Sequence, residues 1–485
     1  MENYDLRRAL KKLENDKNQL IYSNKETDLD SELAGVYRYI GAGGTVKRPT
    51  KTGPAMIFNN IKGVPDAKVL IGLLADRDRT ALLLDTTKEN IAKDLNKAFL
   101  NQIPPVKVEK GVCQEKVYLA SDPDFDIRKI IPALKTTPED AGRYITMGMC
   151  YATDPETGAN DITIHRLCLQ DKDLMTMYFT PGIRHLDAFR IKAEKMGKPL
   201  PISISIGVDP AIEVSACFEP PTTPLGFNEL NIAGGLRNQA VEMVKCKTID
   251  EYCIANAEYV IEGELIPNER MAEDAQTNMG YAMPEFPGYI GNACPDIPMI
   301  KVKAITTRTN PIFRCCIGPS EEHVNLAGIP TEASILGMCE KAMPGKIKNV
   351  YCASCGGGKY VAIMQIHKQV PSDEGRQRQA ALIAFTAFSE LKHVFLVDED
   401  VDLFDMNDVM WAMTTRFQSD IDVVSIPGVR CHPLDPSDDP VYDYSIRDHG
   451  IATKTIFDCT VPFNQKHRFK RAYFQEVDYK QWLED

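Results

Sequence analysis

Short runs in the middle third of the chain alternate apolar with polar residues. Residues 162–164, 202–206 and 300–304 all follow this pattern, in which successive side chains point to opposite sides of a strand. The alternation predicts half-buried antiparallel strands. Helices are predicted between them at 186–196 and 229–236. Many short strands with few helices indicate a barrel.

The flanking thirds of the chain combine helices with strands. Their periodicity predicts helices at 4–21, 87–100, 376–391 and 408–416, and strands at 68–74 and 393–398. A chain of 485 residues is longer than one hydrophobic core supports. We therefore expect three domains, namely an α/β domain at 1–125, the strand-rich domain at 126–330 and an α/β domain at 331–485.

Charge and cysteine usage narrow the class of protein. The net charge is −12, which argues against a nucleic-acid binder or a protein that binds anionic membranes. We see no apolar run near the roughly 20 residues of a membrane span, and no secretory signal at the N-terminus. The 14 cysteines show no disulfide framework spacing, so we expect a cytoplasmic protein.

Three candidate metal ligands are spread over about seventy residues of the middle third. Asp161, His185 and Glu229 offer two carboxylates and an imidazole, which suit a hard divalent cation such as Mn or Mg. An arginine follows or precedes each of them in the sequence, and such a set could hold a phosphorylated cofactor bridged through the metal. The alternative is three unrelated surface residues, because scattered Asp, His and Glu are common.

Strand parity limits which neighbours of Asp161 can share its site. In a regular strand Asp161, Thr163 and His165 face one way, whereas Ile164 and Arg166 face the other. Asp161 and Arg166 can therefore meet only across a strand end or a bulge.

A stiff segment holds another candidate, Glu285, between Pro284, Pro287 and Gly288. A carboxylate fixed in this way suits a general acid, and the alternative is a rigid loop with an exposed glutamate.

Three more side chains carry possible chemistry. His323 follows Glu321 and Glu322, which predicts a raised histidine pKa, although a solvated helix start would give the same pattern. Lys359 follows three glycines that would let the backbone approach a ligand, and His432 lies in a predicted loop.

The chain resembles the UbiD-type reversible decarboxylases, which use prenylated flavin mononucleotide (prFMN). The resemblance spans nearly the whole sequence and is carried by residues 32–48, 161–166, 228–237, 283–289, 398–416 and 456–462. The gallate and protocatechuate (3,4-dihydroxybenzoate) decarboxylases are the branch that it is most similar to.

This resemblance implies a central split β-barrel that holds the flavin. It implies that Asp161, His185 and Glu229 bind Mn(II) joined to the flavin phosphate, with potassium beside it. Residues 163–166 (Thr163, Ile164, His165, Arg166) and Arg184 would contact the cofactor. Arg166 and Glu285 would be the catalytic pair, and Arg184, His323, Lys359 and His432 would line the substrate pocket.

The sequence departs from the family at two positions. Many members have a second acidic residue five positions after the catalytic glutamate, where this chain has Ile290, so His323 or His432 is an alternative carrier of the phenol proton. Position 161 is Asp where many members have Asn.

The resemblance implies the reversible, non-oxidative decarboxylation of 3,4-dihydroxybenzoate or gallate to catechol or pyrogallol and CO2. The alternatives are a 4-hydroxybenzoate decarboxylase that yields phenol, a split-barrel flavin oxidoreductase, and a non-catalytic metal-binding protein. The implied partners are a flavin prenyltransferase that supplies the cofactor and further copies of the chain in a dimer or hexamer. The polar and aromatic tail at 458–485 is a candidate contact between subunits.

Overall fold

A computed structural model describes residues 4–16, 18–48, 50–64, 66–180 and 184–483. The helices are α1 Leu6–Leu13, α2 Glu32–Gly41, α3 Arg77–Leu83, α4 Ile91–Leu100, α5 Ile127–Ile130, α6 His185–Lys195, α7 Pro210–Ser215, α8 Leu230–Arg237, α9 Glu321–Ala342, α10 Arg376–Ala387 and α11 Met406–Arg416. No helix among these residues is both long and apolar enough to cross a membrane.

The strands form several sheets. They are β1 Leu20–Ser23, β2 Ala55–Phe58, β3 Lys68–Ile71, β4 Val106–Val108, β5 Lys116–Leu119, β6 Tyr144–Ile145, β7 Met149–Thr153, β8 Asn160–Ile164, β9 Leu167–Asp171, β10 Leu174–Met177, β11 Leu200–Ile206, β12 Glu242–Lys245, β13 Tyr252–Ile254, β14 Tyr259–Met271, β15 Tyr281–Pro284, β16 Ile290–Asn292, β17 Ile297–Thr307, β18 Ile312–Cys315, β19 Ile347–Cys352, β20 Val361–Ile366, β21 His393–Asp398, β22 Val423–Arg430 and β23 Ile451–Asp458.

The largest sheet has nine antiparallel strands and comes from the middle of the chain. Its order is β6-β9-β10-β17-β14-β11-β7-β8, with β5 paired to β17. Among the described residues β6 and β8, at the two ends of this order, do not pair with each other. Strand pairing therefore does not close this sheet into a barrel.

The predicted alternation in β11 is confirmed, but the prediction that one face is open to water is wrong. Ile202, Ile204 and Ile206 are buried, and so are Ser203 and Ser205. Ser203 donates a hydrogen bond to the carbonyl of Tyr252 at 2.7 Å, and Ser205 Oγ accepts one from the Ile254 amide at 3.2 Å. The polar face packs on β13, where the hydroxyls satisfy backbone groups.

Two smaller sheets flank the large one. The N-terminal sheet has the order β1-β2-β3-β18, so a strand from beyond residue 310 joins the first strands of the chain. The C-terminal sheet has the order β19-β20-β21-β23-β22, with α9 and α10 packed beside it. The predicted strand 393–398 is confirmed as β21, and β3 is the first half of the predicted strand 68–74.

Three predicted helices are shorter than their patterns indicated. The 4–21 prediction, in which position 17 lies outside the described residues, fails after Leu13, because the Asp16 carboxylate accepts a hydrogen bond from the Asn18 amide and turns the chain. The 87–100 helix begins only after Asn90, since the Asn90 amide bonds the Thr87 carbonyl in a turn. The 376–391 helix ends at Ala387, where Phe388 takes an extended conformation.

Candidate active site

The three candidate metal ligands come together at the start of two helices and on one strand. Asp161 lies on β8, His185 is the first residue of α6, and Glu229 is the N-cap residue of α8. One ligand atom from each lies within 4.8 Å of the others. His185 Nδ1 is 3.0 Å from Asp161 Oδ1, and the Ile162 amide lies 3.4 Å from Glu229 Oε2.

The charges of this cluster are unbalanced. Both carboxylates are buried, and burial raises the pKa of Asp161. Burial, together with the nearby Asp161, raises the pKa of Glu229 well above its usual value. Asp161 Oδ2 has no hydrogen-bond partner among the described residues. Oxygen and nitrogen donors with excess negative charge fit a hard divalent cation.

A cavity of about 210 Å³ opens next to this cluster, between the large sheet and the C-terminal loops. Nine of the candidate residues line it: Thr163, Ile164, His165, Arg166, Arg184, Glu285, His323, Lys359 and His432. Strand β8 ends at Ile164, so Arg166 lies beyond the strand end, as the parity of the strand requires.

Arg166 holds two carboxylates at one end of the cavity. Its Nε and Nη2 donate to the two carboxylate oxygens of Glu273, each at 2.8 Å, and its Nη1 donates to Glu285. The Tyr178 ring lies 4.0 Å from the guanidinium carbon. Burial alone would lower the pKa of Arg166, but Glu285 and Glu273 raise it, so this arginine is charged.

Glu285 lies in the turn between β15 and β16, where its amide donates to the Tyr289 carbonyl at 2.9 Å. Burial raises the pKa of Glu285, and Arg166 opposes this shift without cancelling it. A carboxyl with a raised pKa and a fixed position suits a general acid near neutral pH.

Two further glutamates bind the cationic side chains of the cavity. Glu219 Oε1 lies 3.0 Å from Arg184 Nη1 and 3.2 Å from Lys359 Nζ. Burial would raise the pKa of Glu219, but Arg184 and Lys359 lower it to about 2. Glu390 Oε2 accepts a hydrogen bond from Lys359 Nζ at 2.9 Å and lies 3.4 Å from His432 Nε2.

The predicted rise in the pKa of His323 is wrong. Burial, with Lys359 nearby, lowers it to about 4. The two preceding glutamates point elsewhere: Glu321 accepts from the Ser354 hydroxyl and Glu322 from Arg314. Sequence neighbours on a helix start do not face one another, so the adjacent carboxylates cannot support the imidazolium.

Two more residues of the site are neutral histidines. Burial lowers the pKa of His432 to about 4 and that of His165 to about 3. His165 Nδ1 lies 3.0 Å from the Tyr178 carbonyl.

Not every arginine near a candidate ligand in sequence belongs to the site. Arg237 binds Asp209 through Nε at 2.9 Å and Asp85 through Nη1 at 2.8 Å. It is a structural residue that joins α8 to the N-terminal part of the chain. Arg166 and Arg184 do line the cavity.

Sequence reasoning missed Glu273, Glu219 and Glu390. Glu273 lies 107 positions from Arg166, and Glu390 lies 31 positions from Lys359. No local motif marks any of the three. Only the lack of a second carboxylate after Glu285 could have prompted a search for Glu273.

Comparison with known proteins identifies the family of this chain. The chain matches family models for the three domains of 3-octaprenyl-4-hydroxybenzoate carboxy-lyase in sequence order. The N-terminal domain matches residues 10–99, the Rift-related domain 105–321 and the C-terminal domain 324–459. The chain is 53% identical over 484 residues to gallate decarboxylase of Lactiplantibacillus plantarum, with 99% of each chain covered.

Solved structures agree with this result. A 3,4-dihydroxybenzoic acid decarboxylase from Enterobacter cloacae matches with a TM-score of 0.95, 53% identity and 99% of each chain covered. An evolved dimeric form of the UbiD-class enzyme HmfF from Pelotomaculum thermopropionicum, in complex with prFMN, matches with a TM-score of 0.83, 30% identity and 99% of each chain covered. The chain belongs to the UbiD family of carboxy-lyases.

Proposed function

We propose that this protein catalyses the reversible decarboxylation of 3,4-dihydroxybenzoate or gallate. The observation that carries the proposal is the Arg166–Glu285 pair, which lies in the same cavity as Lys359 and three neutral histidines. The 53% identity to a gallate decarboxylase and to a 3,4-dihydroxybenzoic acid decarboxylase supports this choice of substrate. 4-Hydroxybenzoate is the alternative substrate.

We propose that the cofactor is prFMN and that Mn(II) and potassium accompany it. The unbalanced carboxylates of Asp161 and Glu229, with His185, have the donor set for Mn(II) beside a flavin phosphate. Residues 163–166 and Arg184 line the adjacent cavity and would contact the flavin. In this proposal the nine-stranded sheet is the split barrel that holds the flavin, and the domain boundaries stay at residues 125 and 330.

When bound, prFMN supplies the electron sink that decarboxylation of an aromatic ring requires. The residues of the chain orient the substrate and move its protons. Arg166 holds the substrate carboxylate and Glu285 by charge-assisted hydrogen bonds. Lys359, a second cation in the cavity lining, attracts the phenolate. After CO2 leaves, Glu285 donates its proton to the ring carbon that carried the carboxylate.

We propose that Glu273 takes the place of the missing second carboxylate as a positioning residue. Its two hydrogen bonds fix the orientation of the Arg166 guanidinium. Glu273 in turn accepts hydrogen bonds from the Tyr144 hydroxyl at 3.0 Å and the Cys294 amide at 3.1 Å. Glu273 is buried, whereas Glu285 borders the cavity. Of the two glutamates that bind Arg166, Glu285 is therefore the one that reaches the substrate.

Anaerobic incubation with gallate, 3,4-dihydroxybenzoate and 4-hydroxybenzoate in parallel tests this function. The protein is co-expressed with a flavin prenyltransferase and supplied with Mn(II) and potassium, and products are followed by chromatography. Conversion of the two catechol-type acids is expected, and conversion of 4-hydroxybenzoate alone would favour the alternative. No conversion of any acid by protein that carries prFMN would contradict the proposal, and NAD(P)H-dependent reduction of acceptors would favour an oxidoreductase.

We further propose a homo-oligomer, dimer or hexamer, in the cytoplasm. Exposed aromatic residues of the tail (Tyr473, Phe474 and Trp482) support a contact with a second copy. Residues 484 and 485 of that tail lie outside the described residues. All fourteen cysteines are free thiols, which supports a reducing compartment.

A further inference from the structure

A second group of possible metal ligands lies outside the candidate metal cluster, in the segment between β22 and β23. Cys431, Asp435 and Asp438 are all buried there, and one ligand atom from each lies within 4.8 Å of the others. The Cys431 amide donates to the Gly450 carbonyl at 2.7 Å and so closes the base of a loop at 431–450. The fold therefore gathers a thiol and two carboxylates inside one closed loop.

Asp438 is buried without a hydrogen-bond partner. Its exposure is 0%, and neither of its carboxylate oxygens accepts a hydrogen bond from a described residue. Burial, with Asp435 nearby, raises the pKa of Asp438 to about 6, although His449 and the Gly450 amide oppose the rise. His449 Nδ1 lies 3.7 Å from Asp438 Oδ1, which is too far for a hydrogen bond. A buried carboxylate of this kind is costly unless another group stabilises it.

Asp435, in contrast, is held in place by its neighbours. Its Oδ1 accepts hydrogen bonds from the Ser437 amide at 2.9 Å and the Ser437 hydroxyl at 2.7 Å, and its Oδ2 accepts one from Lys392 Nζ. A carboxylate has about four lone-pair positions, so Oδ2 keeps one for a cation. Lys392 balances the charge of Asp435, and the charge of Asp438 stays unbalanced.

The Tyr360 hydroxyl is another buried polar atom that no described residue pairs with. Burial, followed by Asp435, Cys431 and Asp438, raises its pKa, so it lies near the same three side chains and keeps its proton. An ordered water could bridge this hydroxyl to Asp438. Water would leave the charge of Asp438 unbalanced and would not use the thiol, whereas a cation does both.

The donor set favours zinc over a harder cation. A thiolate and an imidazole are ligands that zinc prefers, whereas Mn(II) and Mg(II) prefer oxygen. Zn–S and Zn–O distances of about 2.3 Å and 2.0–2.2 Å allow ligand atoms on one zinc to lie at most about 4.4 Å apart. The three ligand atoms therefore need to move inward by a few tenths of an ångström at most.

We propose that Cys431, Asp435 and Asp438 bind a zinc ion, with His449 as the fourth ligand. On binding, the S–H bond of Cys431 breaks, its proton leaves to solvent, and a sulfur lone pair binds the metal. The sulfur then gives up its 3.4 Å hydrogen bond to the Glu390 carbonyl. Zinc and Lys392 together balance the charge of the thiolate and the two carboxylates.

The ion has a structural role in this proposal. The 431–450 loop carries His432 and Leu434, and both side chains line the active-site cavity. A metal bound to residues on either side of them would hold the loop in one conformation. Zinc binding at this site does not depend on the proposed function.

Cobalt tests the thiolate ligand, because Co(II) replaces zinc and a bound thiolate gives it a charge-transfer band in the near ultraviolet. Full-length protein is freed of metal with a chelator and titrated anaerobically with Co(II). The band is expected in wild type and in Glu229→Gln, since the Asp161, His185 and Glu229 cluster contains no thiol. Cys431→Ser should lose it, and Asp438→Asn, which is nearly isosteric, should bind Co(II) at least about 10- to 100-fold more weakly.

Cys355→Ser is the matched control, because this exposed thiol could bind cobalt adventitiously. It should keep the band of wild type, and circular dichroism checks that all variants are folded. No band in wild type, or the same band in Cys431→Ser, would overturn the site.

Two measurements test the position and role of the ion. Anomalous diffraction at the zinc edge should give a peak between Cys431 and Asp438, and a water peak without anomalous signal would contradict the proposal. Zinc should slow chymotrypsin cleavage after the exposed Tyr442 and Tyr444 in wild type but not in Asp438→Asn. Equal cleavage of wild type with and without zinc would overturn the structural role.

Discussion

Carboxylates in two neighbouring parts of this molecule meet opposite electrostatic surroundings. At the candidate metal cluster, Asp161 and Glu229 lie beside each other and the His185 imidazole, and the pKa of Glu229 rises well above its usual value. In the cavity, Glu219 lies between Arg184 and Lys359, and its pKa falls to about 2.

Burial alone does not explain this difference, because burial acts in the same direction on both groups. The neighbouring charge decides the sign of the net shift. In the cavity, Arg184 and Lys359 supply the counter-charges of Glu219. At the cluster, His185 and Arg184 oppose the rise in the pKa of Asp161 without cancelling it. In our proposal a divalent cation stabilises the ionised form of the two carboxylates.

The largest expected effect concerns Glu285. Glu285→Gln keeps the shape of the side chain but removes the proton donor, and kcat should fall by about 10²–10⁴-fold. Bound flavin, measured by its absorbance, should be unchanged, because Glu285 is not among the metal-cluster residues. Glu269→Gln, on an exposed position, is the control. Normal turnover in Glu285→Gln would remove Glu285 from the mechanism.

Metal addition should separate the cluster from the cavity. Mn(II) at a hundred times its Kd should stabilise the metal-free protein by about 2.7 kcal/mol, because it binds the folded state. Glu229→Gln should abolish this rise in thermal midpoint, whereas Glu219→Gln should keep it. If both variants respond to Mn(II) like wild type, the metal lies elsewhere.

The buried carboxylate of Glu213 tests, outside the active site, whether neighbouring charge decides the direction of the pKa shift. Glu213 shares the Arg314 guanidinium with Glu322, at 3.2 Å and 2.5 Å respectively, and its Oε1 has no described partner. Burial raises the pKa of Glu213 to about 7, although Arg314 opposes the shift.

The raised pKa of Glu213 gives a direction for the pH dependence of stability. A group whose pKa is raised on folding contributes stability below its unfolded pKa, about 4.3, and loses it as pH rises through about 7. The loss between pH 5 and pH 8 should be about 2.6 kcal/mol. Urea unfolding at several pH values measures it, and Glu213→Gln should flatten the dependence. An equally steep loss in that variant would assign it to another group.

The smallest expected effect belongs to Glu273. Glu273→Gln leaves Arg166 with a neutral partner and should lower kcat by about tenfold, because the guanidinium loses a charge-assisted two-point contact. The side chain in Glu273→Asp is one methylene shorter and should not reach Arg166, so this variant should be at least as impaired. Kinetics with 3,4-dihydroxybenzoate measure both. Wild-type kcat in Glu273→Gln would show that Arg166 needs no second carboxylate.

Local sequence patterns predicted the strands but not which other parts of the chain pack on them. The alternation at 202–206 correctly predicted strand β11, yet its serines are buried because β13, fifty residues later, packs over them. The run at 393–398 was predicted to its last residue, since a buried strand needs only apolar side chains in sequence.

The residues of the candidate site also fall into those that the sequence predicts and those that it does not. Side chains with a local motif, such as Glu285 between its prolines and Lys359 after its glycines, could be chosen from the sequence. Glu273, Glu219 and Glu390 could not, because each is defined by a cation that is distant in the chain. The predicted rise in the pKa of His323 was wrong for the same reason. Burial and Lys359 lower this pKa, and the two adjacent carboxylates bind Ser354 and Arg314 instead.

The most direct test of the account uses 3,4-dihydroxybenzoate labelled with ¹³C at the carboxylate. Holoenzyme is incubated anaerobically in D2O, and ¹³CO2 and catechol are measured by mass spectrometry. The account predicts equal amounts of both products, with one deuterium on the catechol ring where the carboxylate was, and almost none from Glu285→Gln. Catechol formed at the wild-type rate by Glu285→Gln, or substrate consumed without ¹³CO2, would contradict it.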